Sequence, residues 1–217
     1  MTSGPPLTSD PSARRGRGRP RGPAGSAGTR ERIVAAAADL FAERGYQATP
    51  MSAVADAAGL SQTGVVHHFP DRAALLAAVL ERRDVRDVAG LSARRGRPAR
   101  GWEVLDDMVE LARLNSGRQG IVRLYTSLSG EAVDPAHPGH RWLRRHLDDA
   151  VAAVESALRE AVEDGTAHPD VPATTVGRQL VALMDGLQVQ WLMTPEEVDM
   201  AGAVAAHVDT VRERWGR

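Results

Sequence analysis

Between residues 49 and 72 the chain gathers polar side chains whose chemistry is hydrogen bonding rather than bond breaking: Thr49, Ser52, Ser61, Gln62, Thr63, His67 and Arg72, with Gly64 among them. A glutamine amide presents a donor beside an acceptor, threonine a hydroxyl and a methyl, and imidazole a ring N–H. Such groups read a polar surface. No nucleophile stands near a base at a spacing that suggests catalysis. There is no Gly-x-Ser-x-Gly elbow and no phosphate loop, and the glycines of the first 28 residues do not sit between a strand and a helix. The absence of cysteine excludes disulfides, thiolate metal sites and cysteine nucleophiles.

Two short helices must position these groups, within Ser52 to Phe69. Met51, Val54, Ala55 and Ala58 repeat at i, i+3, i+4, i+7, one face of a helix. Gly59 ends it, because glycine accepts the left-handed conformation that a helix cap needs, and Leu60 supplies the apolar partner of that cap. Ser61 follows as the N-cap of the next helix. One helix therefore stops and another starts within three residues, the mark of a helix-turn-helix. Val65 and Phe69 point inward, one turn apart, leaving Gln62, Thr63, Val66 and His67 outward. Gly64 costs the second helix about 1 kcal/mol relative to alanine, consistent with a backbone that must come close to something. His68 reads as a packing residue.

The remainder is read as helical. Ile33, Ala36, Ala37, Leu40 and Phe41 define a helix from Thr29, its N-cap, to Gly45, and Leu75, Leu76, Val79 and Leu80 define one that reaches Ala89. An arginine- and glycine-rich loop spans residues 92–101. Further helices centre on Leu105 to Ala112, Val122 to Leu128, Leu143 to Ala161, and Val176 to Trp191. A final one is opened by a capping box at Thr194-Pro195-Glu196-Glu197. The expected architecture is all-α: a disordered tail over 1–28, a helix-turn-helix domain over 29–90, and a helical domain for ligand binding and dimerisation over 91–217.

From Thr29 to about Val88 the chain resembles the DNA-binding domain of the TetR family of bacterial transcriptional regulators. The matching residues are Phe41 to Gly45-Tyr46, Val54-Ala55, Ala58-Gly59-Leu60-Ser61, His68-Phe69-Pro70 and Leu75. The resemblance implies a repressor that binds a palindromic operator as a dimer and is released by a small-molecule effector. It departs from the family's pattern at Val66, where many members carry a phosphate-binding tyrosine, at Pro50, often threonine or serine, and at Arg72, usually lysine. In such a domain the second helix lies in the major groove, so Gln62, Thr63 and His67 are the candidate base readers. Helix N-termini at Thr49 or Ser52, at Ser61 and beside Arg72 offer amides to phosphates. The family also pairs its last two long helices with a second subunit. The apolar second face of the helix from Leu180 to Trp191, through Val181, Val189 and Leu192, is what such a homodimer contact would bury.

Charge placement says more than the net of −1. All 27 basic residues are arginine, a pattern of GC-rich coding that weakens arginine abundance as a sign of nucleic-acid binding. Residues 1–28 hold five arginines against Asp10, and residues 29–90 hold seven arginines against eight acids. The positive potential is therefore concentrated in the tail, where Arg17-Gly18-Arg19-Pro20 resembles the core of an AT-hook. Arginines of this kind fit the narrow, electronegative minor groove of A·T-rich DNA. The alternative function is thus an architectural A·T-rich DNA binder driven by the arginine tail, Arg17 and Arg19 included, with no effector.

For an effector, the candidates are Trp102, Tyr125, Trp142, Met184, Asp185, Gln188 and Trp191: aromatic and apolar groups with two polar side chains on an apolar helix. Glu131, Asp134, His137 and His140 match no helical metal spacing, and no metal or cofactor is expected. The start of the chain lacks an apolar leader and no stretch approaches a membrane span, so the expected location is cytoplasmic.

Overall fold

The computed structural model describes residues 23–137 and 139–217. These form α1 (Pro23–Arg44), α2 (Met51–Ala58), α3 (Gln62–His68), α4 (Arg72–Arg95), α5 (Trp102–Ser116), α6 (Gln119–Glu131), α7 (His140–Glu163), α8 (Ala173–Met193) and α9 (Met200–Trp215). Among the described residues there is no strand, only an isolated bridge between Ala167 and Gly216.

The turn between α2 and α3 forms as its residue types require. Gly59 is left-handed at φ 66°, its N–H donates to the Asp56 carbonyl, and the Leu60 N–H reaches back to Ala55 at 2.9 Å. Ser61 Oγ then accepts the Gly64 N–H at 3.1 Å, closing one orphan amide of α3. A helix of seven residues is far too short to hold itself. Val65 and Phe69 anchor it, 0% and 2% exposed, against Ile33, Phe41, Leu75 and Leu76. Burial of side chains this size is worth about 1.5–3 kcal/mol each.

Two apolar cores result. The first joins α1–α4 to Leu124, Tyr125 and Leu128 of α6 and to Trp142 and Leu143 of α7, so the helix-turn-helix unit shares its interior with the helices that follow. The second lies among α5, α7, α8 and α9, around Leu105, Leu158, Leu180, Val204 and Val208. Gly177 lets α8 come close to α7, since a Cβ there would stand 2.9 Å from the Val151 carbonyl oxygen.

Three boundaries differ from the sequence reading, each for a local reason. Helix α1 opens at Pro23, so residues 23–28 are helical rather than part of a disordered leader; Thr29 lies inside and donates to the Gly25 carbonyl at 2.8 Å instead of capping. Helix α4 passes through residue 90 without a break and ends at Arg95, where Gly96 is left-handed at φ 77°. There Arg95 clamps Asp107 at 2.6 Å and Arg97 clamps Glu103 at 2.8 Å, so that the arginines of Arg95-Gly96-Arg97-Pro98, which repeats the residue types of 17–20, are occupied by carboxylates. Thr194 to Glu197 is a turn, closed by the Glu197 N–H on the Thr194 carbonyl at 3.1 Å, and not a capping box. The cap of α9 is Asp199, whose carboxylate accepts the Gly202 N–H at 2.9 Å.

Nothing lies within 4 Å of the position a Cβ would take on Gly59, so its replacement is penalised by backbone conformation alone. Gly59→Ala should cost about 1 kcal/mol, a fall of about 2–4 °C in Tm. Asn should cost less than Ala and Val more, by thermal melts of the three variants; an unchanged Tm for Val would contradict the cap.

Candidate nucleic-acid interface and regulatory site

The outer face of the helix-turn-helix carries the predicted readers. Gln62, Thr63 and His67 are exposed on α3, as are Ser61 at its cap, Val66, and Ser52 in the first turn of α2. A Cβ on Gly64 would meet only side-chain atoms, the Ser61 hydroxyl at 3.3 Å and Leu60 Cβ at 3.8 Å, so no backbone of the fold demands glycine there. Thr49 is a correction. It is fully buried, and its hydroxyl donates to the Gly45 carbonyl at 2.8 Å, fastening the end of α1 rather than facing DNA. Arg72 stands at the start of α4 but is engaged with the α1–α2 turn. It donates to the Gln47 carbonyl at 3.2 Å and side chain at 2.9 Å, with the guanidinium 4.4 Å from the Tyr46 ring centre. Arg17 and Arg19 lie outside the described residues. His68 is half-buried, edge-on to His67.

The predicted effector residues do not form one group. Met184 and Trp191 are buried in the second core, with Trp102 packed at its edge and bonded to the Thr166 carbonyl at 3.2 Å. Tyr125, Trp142 and Asp185 come together elsewhere. The Tyr125 hydroxyl donates to Asp185 Oδ1 at 3.1 Å, and its ring lies edge-on to Trp142. Gln188, one turn beyond Asp185, is 4% exposed with its Oε1 unpartnered.

Three residues that the sequence did not single out complete this cluster. His146 stacks on Trp142 at 5.1 Å and 17°, and its Nδ1 lies 2.9 Å from Asp84 Oδ2. Arg83 donates twice to Asp84 Oδ1, at 3.0 and 2.7 Å, and its guanidinium lies 5.4 Å from the Tyr125 ring centre. Burial works to raise the Asp84 carboxyl, but the His146 hydrogen bond and the Arg83 charge outweigh it and hold it below its usual value. Asp185 has only the phenol, and burial pushes its carboxyl up. The same burial, with the Asp185 charge, pushes Tyr125 up. The only signal available in the sequence was Arg83-Asp84 standing beyond the apolar stripe of α4.

A second set of contacts ties α6 to the helix-turn-helix unit. The start of α6 presses on α1, where a Cβ on Gly120 would stand 3.0 Å from the Ala42 carbonyl oxygen and 3.2 Å from its Cα. Beside it, Arg118 of the α5–α6 turn pairs with the buried Asp87 of α4 at 2.6 Å.

The connection before α7 spends its histidines on its own backbone. His137 Nδ1 accepts the Gly139 N–H at 3.0 Å, and His140 Nδ1 lies 2.9 Å from the Ala132 carbonyl. Ala182, Gly186, Val189 and Met193 form an exposed row at i, i+4, i+7, i+11 along α8, with Val189 and Met193 46% and 77% exposed. Among the described residues no helix is long and apolar enough to cross a membrane.

Both halves of the chain match known proteins. Residues 33–79 match the family described as bacterial regulatory proteins, tetR family, and residues 117–215 match the BetI-type transcriptional repressor C-terminal family. The chain is 26% identical over 160 residues to the HTH-type transcriptional regulator UidR of Escherichia coli, covering 73% of this chain and 79% of UidR. It is 25% identical to TtgR of Pseudomonas putida over 197 residues, covering 84% and 89%. Among solved structures it resembles SmeT, the repressor of the Stenotrophomonas maltophilia multidrug efflux pump SmeDEF. The TM-score is 0.66 at 21% identity over 87% of this chain and 90% of SmeT. A SmeT–triclosan complex matches with a TM-score of 0.64 at 23% identity, over 88% and 92%. With a helix-turn-helix and a regulatory helical half that each match their part of one family, the chain belongs to the TetR family of transcriptional regulators.

Proposed function

We propose that the protein is a dimeric repressor that reads an inverted-repeat operator with α3 and is released by a small molecule bound among α4, α6, α7 and α8. The observation that carries this reading is α3 itself, which buries one face completely and offers Gln62, Thr63 and His67 on the other. Glutamine can bond adenine through both amide groups, threonine can bond a base or pack its methyl on thymine, and His67 can donate to a phosphate or a guanine acceptor. Ser52, Ser61 and the amides around them suit phosphates, and Gly64 lets the DNA backbone approach.

The exposed row from Ala182 to Met193 supports a homodimer, because its small residues let a second copy of α8 come close and its apolar surface needs cover. A solved complex of SmeT with triclosan supports small-molecule binding in this fold. The Tyr125, Trp142 and Asp185 cluster supplies apolar walls and a polar anchor for it. Release requires the effector to prefer a conformation that binds the operator poorly; a hundredfold loss corresponds to about 2.7 kcal/mol of coupling. The Gly120–Ala42 contact and the Arg118–Asp87 pair are the route by which such a change would reach α1 and α4. The cytoplasm is where such a protein would act. A second reading, the architectural A·T-rich binder, is favoured by the near-balance of charge in residues 29–90 and the arginines before Pro23.

Selection from random-sequence DNA by the purified protein separates the two readings. The repressor predicts an inverted repeat with half-sites about one helical turn apart, and loss of preference at one position per half-site in Gln62→Ala, at about 1–3 kcal/mol. Enrichment of A·T-rich duplex without symmetry would sink it. Removing residues 1–22 should weaken operator binding and flatten its salt dependence, since those residues hold five arginines; an unchanged slope would remove the tail from the account. Gly120→Ala should separate α6 from α1 and lower operator affinity about tenfold, or about 1.4 kcal/mol, with the helix content by circular dichroism retained. Full operator affinity in that variant would argue against the proposed route.

A further inference from the structure

Three buried polar atoms, on residues of this cluster or close to them in sequence, have no partner, and Asp185 has a single one. Arg83 spends its Nε and one terminal nitrogen on Asp84, while its other terminal nitrogen is buried with no partner. Gln188 Oε1 on α8 and Thr126 Oγ1, next to Tyr125 on α6, are likewise buried and unpartnered. Asp185 has the single phenolic hydrogen bond. An unsatisfied buried polar atom costs about 1–3 kcal/mol, so these groups are costly unless something else completes them.

The charges restrict what that can be. Arg83 and Asp84 neutralise each other at 2.7 Å. A cationic ligand would meet the Arg83 guanidinium already lying over the Tyr125 ring. An anionic one would meet the Asp84 and Asp185 carboxyls. The walls are flat: Trp142 and His146 are stacked at 17°, with Tyr125 edge-on to both. Asp84 and His146 retain side-chain exposures of 30% and 22%, so the cluster reaches solvent on the α4–α7 side.

We infer that this cluster takes an uncharged aromatic molecule bearing a hydroxyl group, which donates to Asp185 and accepts from the free Arg83 nitrogen. The inference rests on the effector-controlled reading above and adds the chemical class of the effector. A hydroxyl is the smallest group that does both at once; a carboxylate only accepts and a quaternary ammonium does neither. Gln188, one turn beyond Asp185 on α8, would bond a second polar substituent, and the aromatic walls would stack on the ring.

Calorimetric titration of the full chain with three naphthalenes of equal ring size tests the class: 2-naphthol, 2-naphthoate and 2-naphthyltrimethylammonium. Naphthol should bind at least tenfold more tightly than either ion. Asp185→Leu should weaken naphthol at least tenfold, whereas Asp185→Asn, which keeps an acceptor, should bind within threefold of the parent; both variants are checked by thermal melts. Tighter binding of either ion, undiminished binding in Asp185→Leu, or no binding of naphthol would overturn the inference. Gel-shift on the selected operator, run in parallel, keeps the two readings apart. Naphthol that binds through Asp185 without releasing DNA upholds the site and counts against effector control. Release by another compound, equally effective on Asp185→Leu, upholds effector control and counts against this site.

Discussion

The recognition helix depends on burial that it does not itself supply. Seven residues cannot pay the entropy of helix nucleation in water, and Gly64 makes the sequence weaker still. What fixes α3 is the seating of Val65 and Phe69 among side chains of α1 and α4, with Gly59 and Ser61 setting the angle of entry. The consequence is functional as well as structural. Any displacement of α1 or α4 carries the exposed face of Gln62, Thr63 and His67 with it, because the anchors and the proposed readers share two turns of helix.

That dependence extends into the second half of the chain. Helix α4 begins at the DNA-facing unit and ends against Asp107 of α5, and it carries Arg83, Asp84 and Asp87 in between. The first two belong to the polar cluster with His146, and the third holds the start of α6 through Arg118. A single continuous helix therefore contacts the aiming core, the candidate effector site and the α5–α6 turn. Interiors this tightly packed move between discrete arrangements rather than deforming smoothly, which suits a two-state regulator.

Much of this could be read from the residues, and the failures share a cause. The α2–α3 turn was legible because glycine and serine have strong backbone preferences at caps, and the α8 stripe because its apolar period is long. Thr49 was not, since a hydroxyl next to a helix end can face solvent or bond the preceding carbonyls, and here it turned inward. The full length of α4 was hidden because residues 81–95 are mostly polar, so continuation relied on ion pairs with distant partners. Periodicity identified Met184 and Trp191 as inward-facing but not which of two cores they enter. Asp84 meets His146, and Tyr125 meets Asp185, only through tertiary packing, which no local pattern encodes.

In the proposed dimer, two copies of this chain hold their recognition helices at the separation of successive major grooves. The chain has no cysteine, so Ala57→Cys on the exposed side of α2 introduces a unique labelling site that moves with α3. Pulsed electron–electron dipolar spectroscopy on the spin-labelled protein bound to its selected DNA should give one narrow intersubunit distance, compatible with recognition helices about 34 Å apart. An absent intersubunit signal, or a broad distribution on bound DNA, would contradict it.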